Sequence, residues 1–275
     1  MSVKRVSNIE LIKQLRLIDD DFMNICFTDL PCVEIVLQII LNKPDLKVSR
    51  SHVQKLLKGP KRSVWLDIYA NDSEGKSYDI ELQRDNRGAD PRRARFHSSM
   101  LDTWSLKNRE PFSKLREAWI IFITEKDALK LGLPVYTIDR RINETGGYFG
   151  DGSHIVYVNG ALKDEATPIG KLMHDFFCTK PDDMNYKLLA DRTRYFKEDP
   201  KGVRKMSNIM NKIRLEGKAE GRAEGRAEGR AEGLLEGRVK MLFDLVSKKL
   251  LSVSDAAMSI NISESEFLAK MNAAK

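Results

Sequence analysis

From Leu215 to Arg238 the chain reads LEGKAEGRAEGRAEGRAEGLLEGR, a period-four repeat with glycine at 217, 221, 225, 229, 233 and 237 and a glutamate before each. Ala, Glu and Arg favour helix, but each interior glycine costs roughly 1 kcal/mol relative to alanine. Because four exceeds 3.6, each residue type drifts about 40° around a helix per repeat. The glutamates and arginines stand two or six apart, missing the i,i+3 and i,i+4 spacings of ion pairs. Two readings remain: a solvated, partly helical linker, or a self-associating helix whose small residues let two backbones approach. The period does not choose between them. On either, the chain divides into a first domain over 1–205, a linker over 206–238 and a small module over 239–275.

The first domain reads as mixed α/β. Asp19-Asp20-Asp21 precedes the periodicity of Phe22, Ile25 and Cys26 as an N-cap would. Residues 31–42 predict a second helix with Pro31 in its first turn. Strand-like runs stand at 63–70, 77–84, 117–124, 134–139 and 154–159, and 90–107 looks helical between the second and third of them. Gly150-Asp151-Gly152 predicts a turn. In the last module Val239, Leu242, Phe243, Val246 and Leu250 keep helical spacing, and Ser254 and Ser263 are candidate N-caps of two short helices. That pattern suits a helix-turn-helix or a dimerising helical module.

The 275 residues carry 47 Lys+Arg against 40 Asp+Glu, a formal charge of +7, and 41% are apolar. This is too apolar for a fully disordered chain. No apolar run approaches the ~20 residues of a spanning helix, and no secretory signal opens the chain, so no membrane partner is expected. Cys26, Cys32 and Cys178 are odd in number and irregularly spaced, which predicts reduced thiols and a cytoplasmic location. The positive surplus sits in 51–100 (ten basic, seven acidic) and 201–250 (thirteen basic, seven acidic).

Residues 63–84 predict a hairpin and carry the chemistry. Trp65, Asp67 and Tyr69 alternate with Val64, Leu66 and Ile68, while Asp79, Glu81 and Gln83 alternate with Ile80 and Leu82. Folding about position 74 sets Asp67 across from Glu81, with Cβ atoms roughly 5 Å apart. Facing carboxylates need a cation, and oxygen donors suit Mg²⁺, with Mn²⁺ or Ca²⁺ as alternatives. Against this stands an ordinary strand with Asp67 in solvent and Asp79 as a solvated edge residue. Lys55, Lys58, Lys61 and Arg62 precede the hairpin, and Arg84, Arg92, Arg93 and Arg95 follow it. That layout suits a groove tracking a phosphate backbone, or a solvated basic face. Lys61, Arg62, Arg84, Arg92, Arg93 and Arg95 are the candidate nucleic-acid contacts. His174 and Cys178 lack a second pair for zinc, His97 reads as a packed or surface residue, and no Walker loop or nucleophile elbow is present.

Asp67 with Tyr78-Asp79-Ile80-Glu81-Leu82-Gln83 resembles the Asp…Glu-x-Lys hairpin of the PD-(D/E)XK nuclease superfamily. Together with Asp20-Asp21-Phe22-Met23, Arg93 to Met100, Gly152 to Gly160, Gly170 to Phe176 and the Gly-Arg repeat, the chain is similar over about 1–240 to the Rpn family of recombination-promoting nucleases and transposases. The resemblance implies a restriction-endonuclease-like α/β core with a mixed central sheet flanked by helices. It also implies metal-dependent cleavage of DNA in recombination or transposition. Asp67 and Glu81 would hold the metal, and Gln83, in the usual lysine position, would orient water without supplying positive charge. Glu34 is either a further ligand through water or a plain surface or ion-paired glutamate. Strand transfer in place of hydrolysis is one alternative. Another is a catalytically weak DNA-binding protein regulated by its C-terminal module, through which a homodimer is also expected.

Overall fold

The computed structural model describes residues 8–84 and 86–274, so residues 1–7 of the expected first domain and Lys275 of the last lie outside the described residues. The chain divides into two compact units, Met1–Met210 and Asn211–Lys275.

In the first unit the helices α1 (Asn8–Gln14), α2 (Asp20–Cys26) and α3 (Leu30–Leu41) come first. Asp19 occupies the N-cap position of α2, but its carboxylate accepts from the backbone N–H and guanidinium of Arg16 rather than from its own helix. Pro31 sits in the first turn of α3, and Asn42 ends that helix in the left-handed conformation. A six-stranded sheet follows: β1 (Val48–Leu57), β2 (Val64–Asp72), β3 (Ser77–Gln83), β4 (Ala118–Thr124), β5 (Val135–Ile138) and β6 (Ser153–Asn159). Its spatial order is β1-β2-β3-β4-β6-β5. The pairs β1/β2, β2/β3 and β5/β6 are antiparallel, whereas β3/β4 and β4/β6 are parallel. Helix α4 (Pro91–Ser105) links β3 to β4, and α5 (Pro168–Phe177) and α6 (Lys187–Lys197) come after β6.

Helices cover both faces. Side chains of α1, α2, α3, α5 and α6 pack with Ile80, Leu82, Ile121, Ile123 and Val158 in one core, while Ala94, Met100 and Leu101 of α4 pack with Ile120, Phe122 and Tyr157 in the other. The run from Ala118 to Thr124 is therefore buried on both faces, as a central strand with parallel neighbours requires. This is a mixed α/β fold with a helical C-terminal region.

The polar strand β1 has no counterpart among the predicted runs. It is an edge strand, mostly half-buried or exposed, so no apolar alternation marks it. Strand β2 departs from its predicted faces. Val64 and Leu66 join the α4 core, whereas Ile68 and Ala70 join the opposite one. The switch falls at Asp67, opposite Gln54, whose φ of 50° is left-handed. Gly75 (φ 83°) makes the β2/β3 turn, where Lys76 donates its backbone N–H to Asp72.

The second unit is helical. Helix α7 (Pro200–Ser247) carries the repeat as continuous helix rather than as a partly helical linker. Among its described side chains from Lys218 to Arg238 no ion pair forms, as the spacing requires. A Cβ added at any of the six repeat glycines would meet nothing within 4 Å. Helices α8 (Val253–Ser259) and α9 (Glu264–Ala273) close a small core of Leu242, Ala256, Ala257 and Phe267. Ser263 caps α9, but α8 is capped by Ser252, which accepts from Asp255 N–H, and not by Ser254, which lies inside the helix. Replacing Gly221, Gly225 and Gly229 together by alanine should stabilise α7 by roughly 1 kcal/mol per site. Far-ultraviolet circular dichroism should show a helical signal that persists to higher temperature; an unchanged melting profile would contradict the exposed-helix account.

Candidate functional site

The β2/β3 ladder pairs Asn71 with Ser77 and runs to Ile68 with Ile80, which makes Asp67 and Glu81 the next facing positions. There the two strands exchange side-chain bonds instead of ladder bonds. Asp67 donates its backbone N–H to Glu81 Oε1 at 3.0 Å, and Leu82 donates its N–H to Asp67 Oδ2 at 3.0 Å. Gln54 Nε2 reaches Asp67 Oδ1 at 3.3 Å. The opposed pair is thus held by the backbone of the strands it joins.

The predicted pair is part of a larger group. Asp79 is not a solvated edge residue: it and Glu81 are both fully buried, pointing from β3 towards α4. His97 Nδ1 lies 2.7 Å from Asp79 Oδ2 and 3.8 Å from Glu81 Oε1. Arg93, one turn earlier on α4, donates from Nη2 to Glu81 Oε2 at 2.7 Å and from Nε to His97 Nε2 at 3.3 Å. With Nε2 accepting, the network assigns the ring proton to Nδ1, which donates to Asp79. Ligand-type atoms of Asp79, Glu81 and His97 lie within 4.8 Å of one another. Asp79 Oδ1 is buried and has no hydrogen-bond partner.

Three carboxylates therefore meet one guanidinium. Burial, with the charge of the neighbouring Asp67, pushes Asp79 up to about 8, and the Glu81 carboxyl as a hydrogen-bond partner and the charge of Arg93 only partly offset this. Burial and the charges of Asp79 and Asp67 hold Glu81 well above the usual carboxylate range. Asp67 is raised too, by burial and by Asp20 at the start of α2, against the Leu82 N–H and Arg93. Burial lowers His97, keeping its imidazole neutral. Such a group is costly to charge unless a further cation joins it.

The remaining predicted residues separate. Gln83 lies beside the group, its Oε1 3.4 Å from Arg93 Nη1 and packed over Gly88, where an added Cβ would come within 1.8 Å of it. Arg93 belongs to the acidic group rather than to a free basic face. Arg84 is exposed but pairs with Asp19 at 3.3 Å and Glu125 at 3.5 Å. Lys61, Arg62, Arg92 and Arg95 are exposed. Glu34 is ion-paired: it accepts from Lys47 Nζ and from Val48 N–H, each at 2.9 Å. Cys178 follows α5 in extended conformation and shares no helix face with His174. Neither His97 nor Asp79 stands out in the sequence as a member of this group; the i,i+4 spacing of Arg93 and His97 on a helix after the acidic strand is the signal that places them together.

No protein-family model, curated protein or solved structure matches this chain.

Asp79 binds its proton more tightly folded than unfolded, so the folded state holds the extra proton between pH values of about 4 and 8 and loses stability as pH rises through that window. In the presence of a chelator the wild-type melting temperature should fall across it, and Asp79→Asn should flatten the slope. Parallel slopes for the two proteins would contradict the buried, uncompensated carboxyl.

Proposed function

We propose that the chain is a divalent-metal-dependent DNA endonuclease with a PD-(D/E)XK-type core, akin to the Rpn family it resembles in sequence. The observation that carries this reading is the group of Asp67, Asp79 and Glu81 around the point where β2 and β3 part, with Arg93 as the only arginine or lysine in ion-pair contact with it among the described residues. An all-oxygen donor set with a buried, unpartnered Asp79 Oδ1 fits Mg²⁺ or Mn²⁺, with Ca²⁺ as a larger alternative. Asp67 and Glu81 would hold the ion. Asp79 would add its free oxygen while His97 fixes the other. A bound divalent ion supplies an activated water and charge stabilisation at the phosphate.

The chain's own residues account for the rest. The Leu82 and Asp67 backbone N–H groups aim the two carboxylates. Gln83 has an amide to orient water but no charge, and Arg93, which touches both Gln83 and Glu81, brings from α4 the positive charge that a lysine would have supplied. Hydrolysis and strand transfer would use the same group.

Supercoiled plasmid should be nicked in Mg²⁺ or Mn²⁺, with a loss of about a hundredfold or more in Asp67→Ala and Glu81→Ala. Equal nicking by all three proteins would refute the assignment. The alternative is a catalytically weak DNA-binding protein, for which all three would bind DNA and none would cut.

The second unit leaves Leu234, Leu235, Met241, Leu250 and Met258 more than half exposed, and a second copy of the chain is the partner attached to it here. Sedimentation should give a dimer for the full chain and a lighter species when those five are replaced by serine; the same mass for both would remove the dimer.

A further inference from the structure

Beside the acidic group an open pocket of about 740 Å³ is lined by Arg62, Trp65, Arg92, Arg93, Phe96 and His97, among others. Arg93 and His97 line the pocket and also contact Glu81 and Asp79, which lie fully buried behind them. Its volume lies in the range of sites that enclose a small organic ligand. We propose that it takes one unpaired nucleotide of DNA, the base stacked on Trp65 and the adjoining phosphate held by Arg62 and Arg92. The proposal rests on the nuclease reading and names its substrate class: DNA with an unstacked base next to the scissile bond, as in single strands, flaps and frayed ends.

Trp65 differs from the other two tryptophans. Trp104 donates its indole N–H to Lys58 O at 3.1 Å. Trp119 donates to Glu117 at 2.8 Å and stacks on His154 with centroids 4.1 Å apart. Among the described residues Trp65 has neither a hydrogen-bond nor a ring partner, and it is 57% exposed between the buried Val64 and Leu66. A bare indole on a pocket wall offers a face for another aromatic ring.

The charges select the kind of ring. Arg62 and Arg92 form no ion pair among the described residues, while the pocket's acid, Asp90, is occupied in capping α4 through the Arg92 N–H at 2.7 Å. An aromatic ring carrying a phosphate is what such a wall and rim accept. In a duplex both faces of every base are covered by its neighbours, so a protein must extrude a base or meet one already unpaired. Stacking on a side chain is sequence-tolerant, since every base has a π-face.

The full chain would be titrated, in chelator, against labelled oligothymidylate, oligouridylate and a blunt hairpin duplex, using fluorescence anisotropy. Oligothymidylate should bind more tightly than the duplex. Trp65→Ala should reduce that preference by about tenfold or more, and Trp65→Phe should restore most of it. Arg92→Ala should weaken binding and lower the salt slope by about one. A preference insensitive to Trp65, or no preference, would overturn the pocket assignment even if plasmid nicking still depends on Asp67. Trp65-dependent binding without any nicking would leave the pocket standing and overturn the nuclease reading. Stronger Trp65-dependent capture of oligouridylate would overturn DNA as the substrate.

Discussion

Asp79 and Glu81 enter the middle of the sheet with no exposed surface, and Arg93 with His97 from α4 are what meets them there. Burying two carboxylates without partners would cost several kcal/mol each, so the packing of α4 is tied to these contacts as much as to Ala94, Met100 and Leu101. The same place sets the shape of the hairpin. Where the β2/β3 ladder stops, Asp67 and Glu81 take over the backbone N–H groups that ladder carbonyls would have satisfied. Strand β2 changes the core it faces at that residue. Fold and site are consequences of one arrangement of charge.

That arrangement leaves the group short of positive charge. One guanidinium faces three carboxyls, and burial keeps their proton affinities high. A structural ion pair needs no third acid. Under the proposed reading the surplus is what a divalent ion would neutralise, while Arg93 stands between Glu81 and Gln83. Under the same reading, the adjoining pocket, with its bare indole and the unpaired Arg62 and Arg92, is where a substrate phosphate and base would arrive.

Much of this was legible in the residues. The alternation of β2 and β3 gave the hairpin and its register, and the apolar run AWIIFIT gave a strand whose central place only the structure shows. The edge strand β1 was hidden because Ser49, Arg50, Ser51 and Gln54 carry no apolar period. In sequence Asp79 reads as a turn-edge residue, because nothing in the residues shows that α4 folds over it. Likewise, an arginine on a basic helix gives no sign of its partner: Arg93 goes to Glu81 and Arg84 to Asp19 and Glu125. The net charge of +7 proved the least informative quantity, since the arginines that matter differ in what they touch.

Under the proposed reading the three carboxylates form a divalent-cation site. Its most direct test is a calorimetric titration of the full chain with Mn²⁺ in the absence of DNA. A divalent-cation site there should take up one saturable ion per chain, lost in Asp67→Ala and in Glu81→Ala and weakened in Asp79→Asn. Absence of saturable binding in the wild type, or binding that survives all three substitutions, would contradict it.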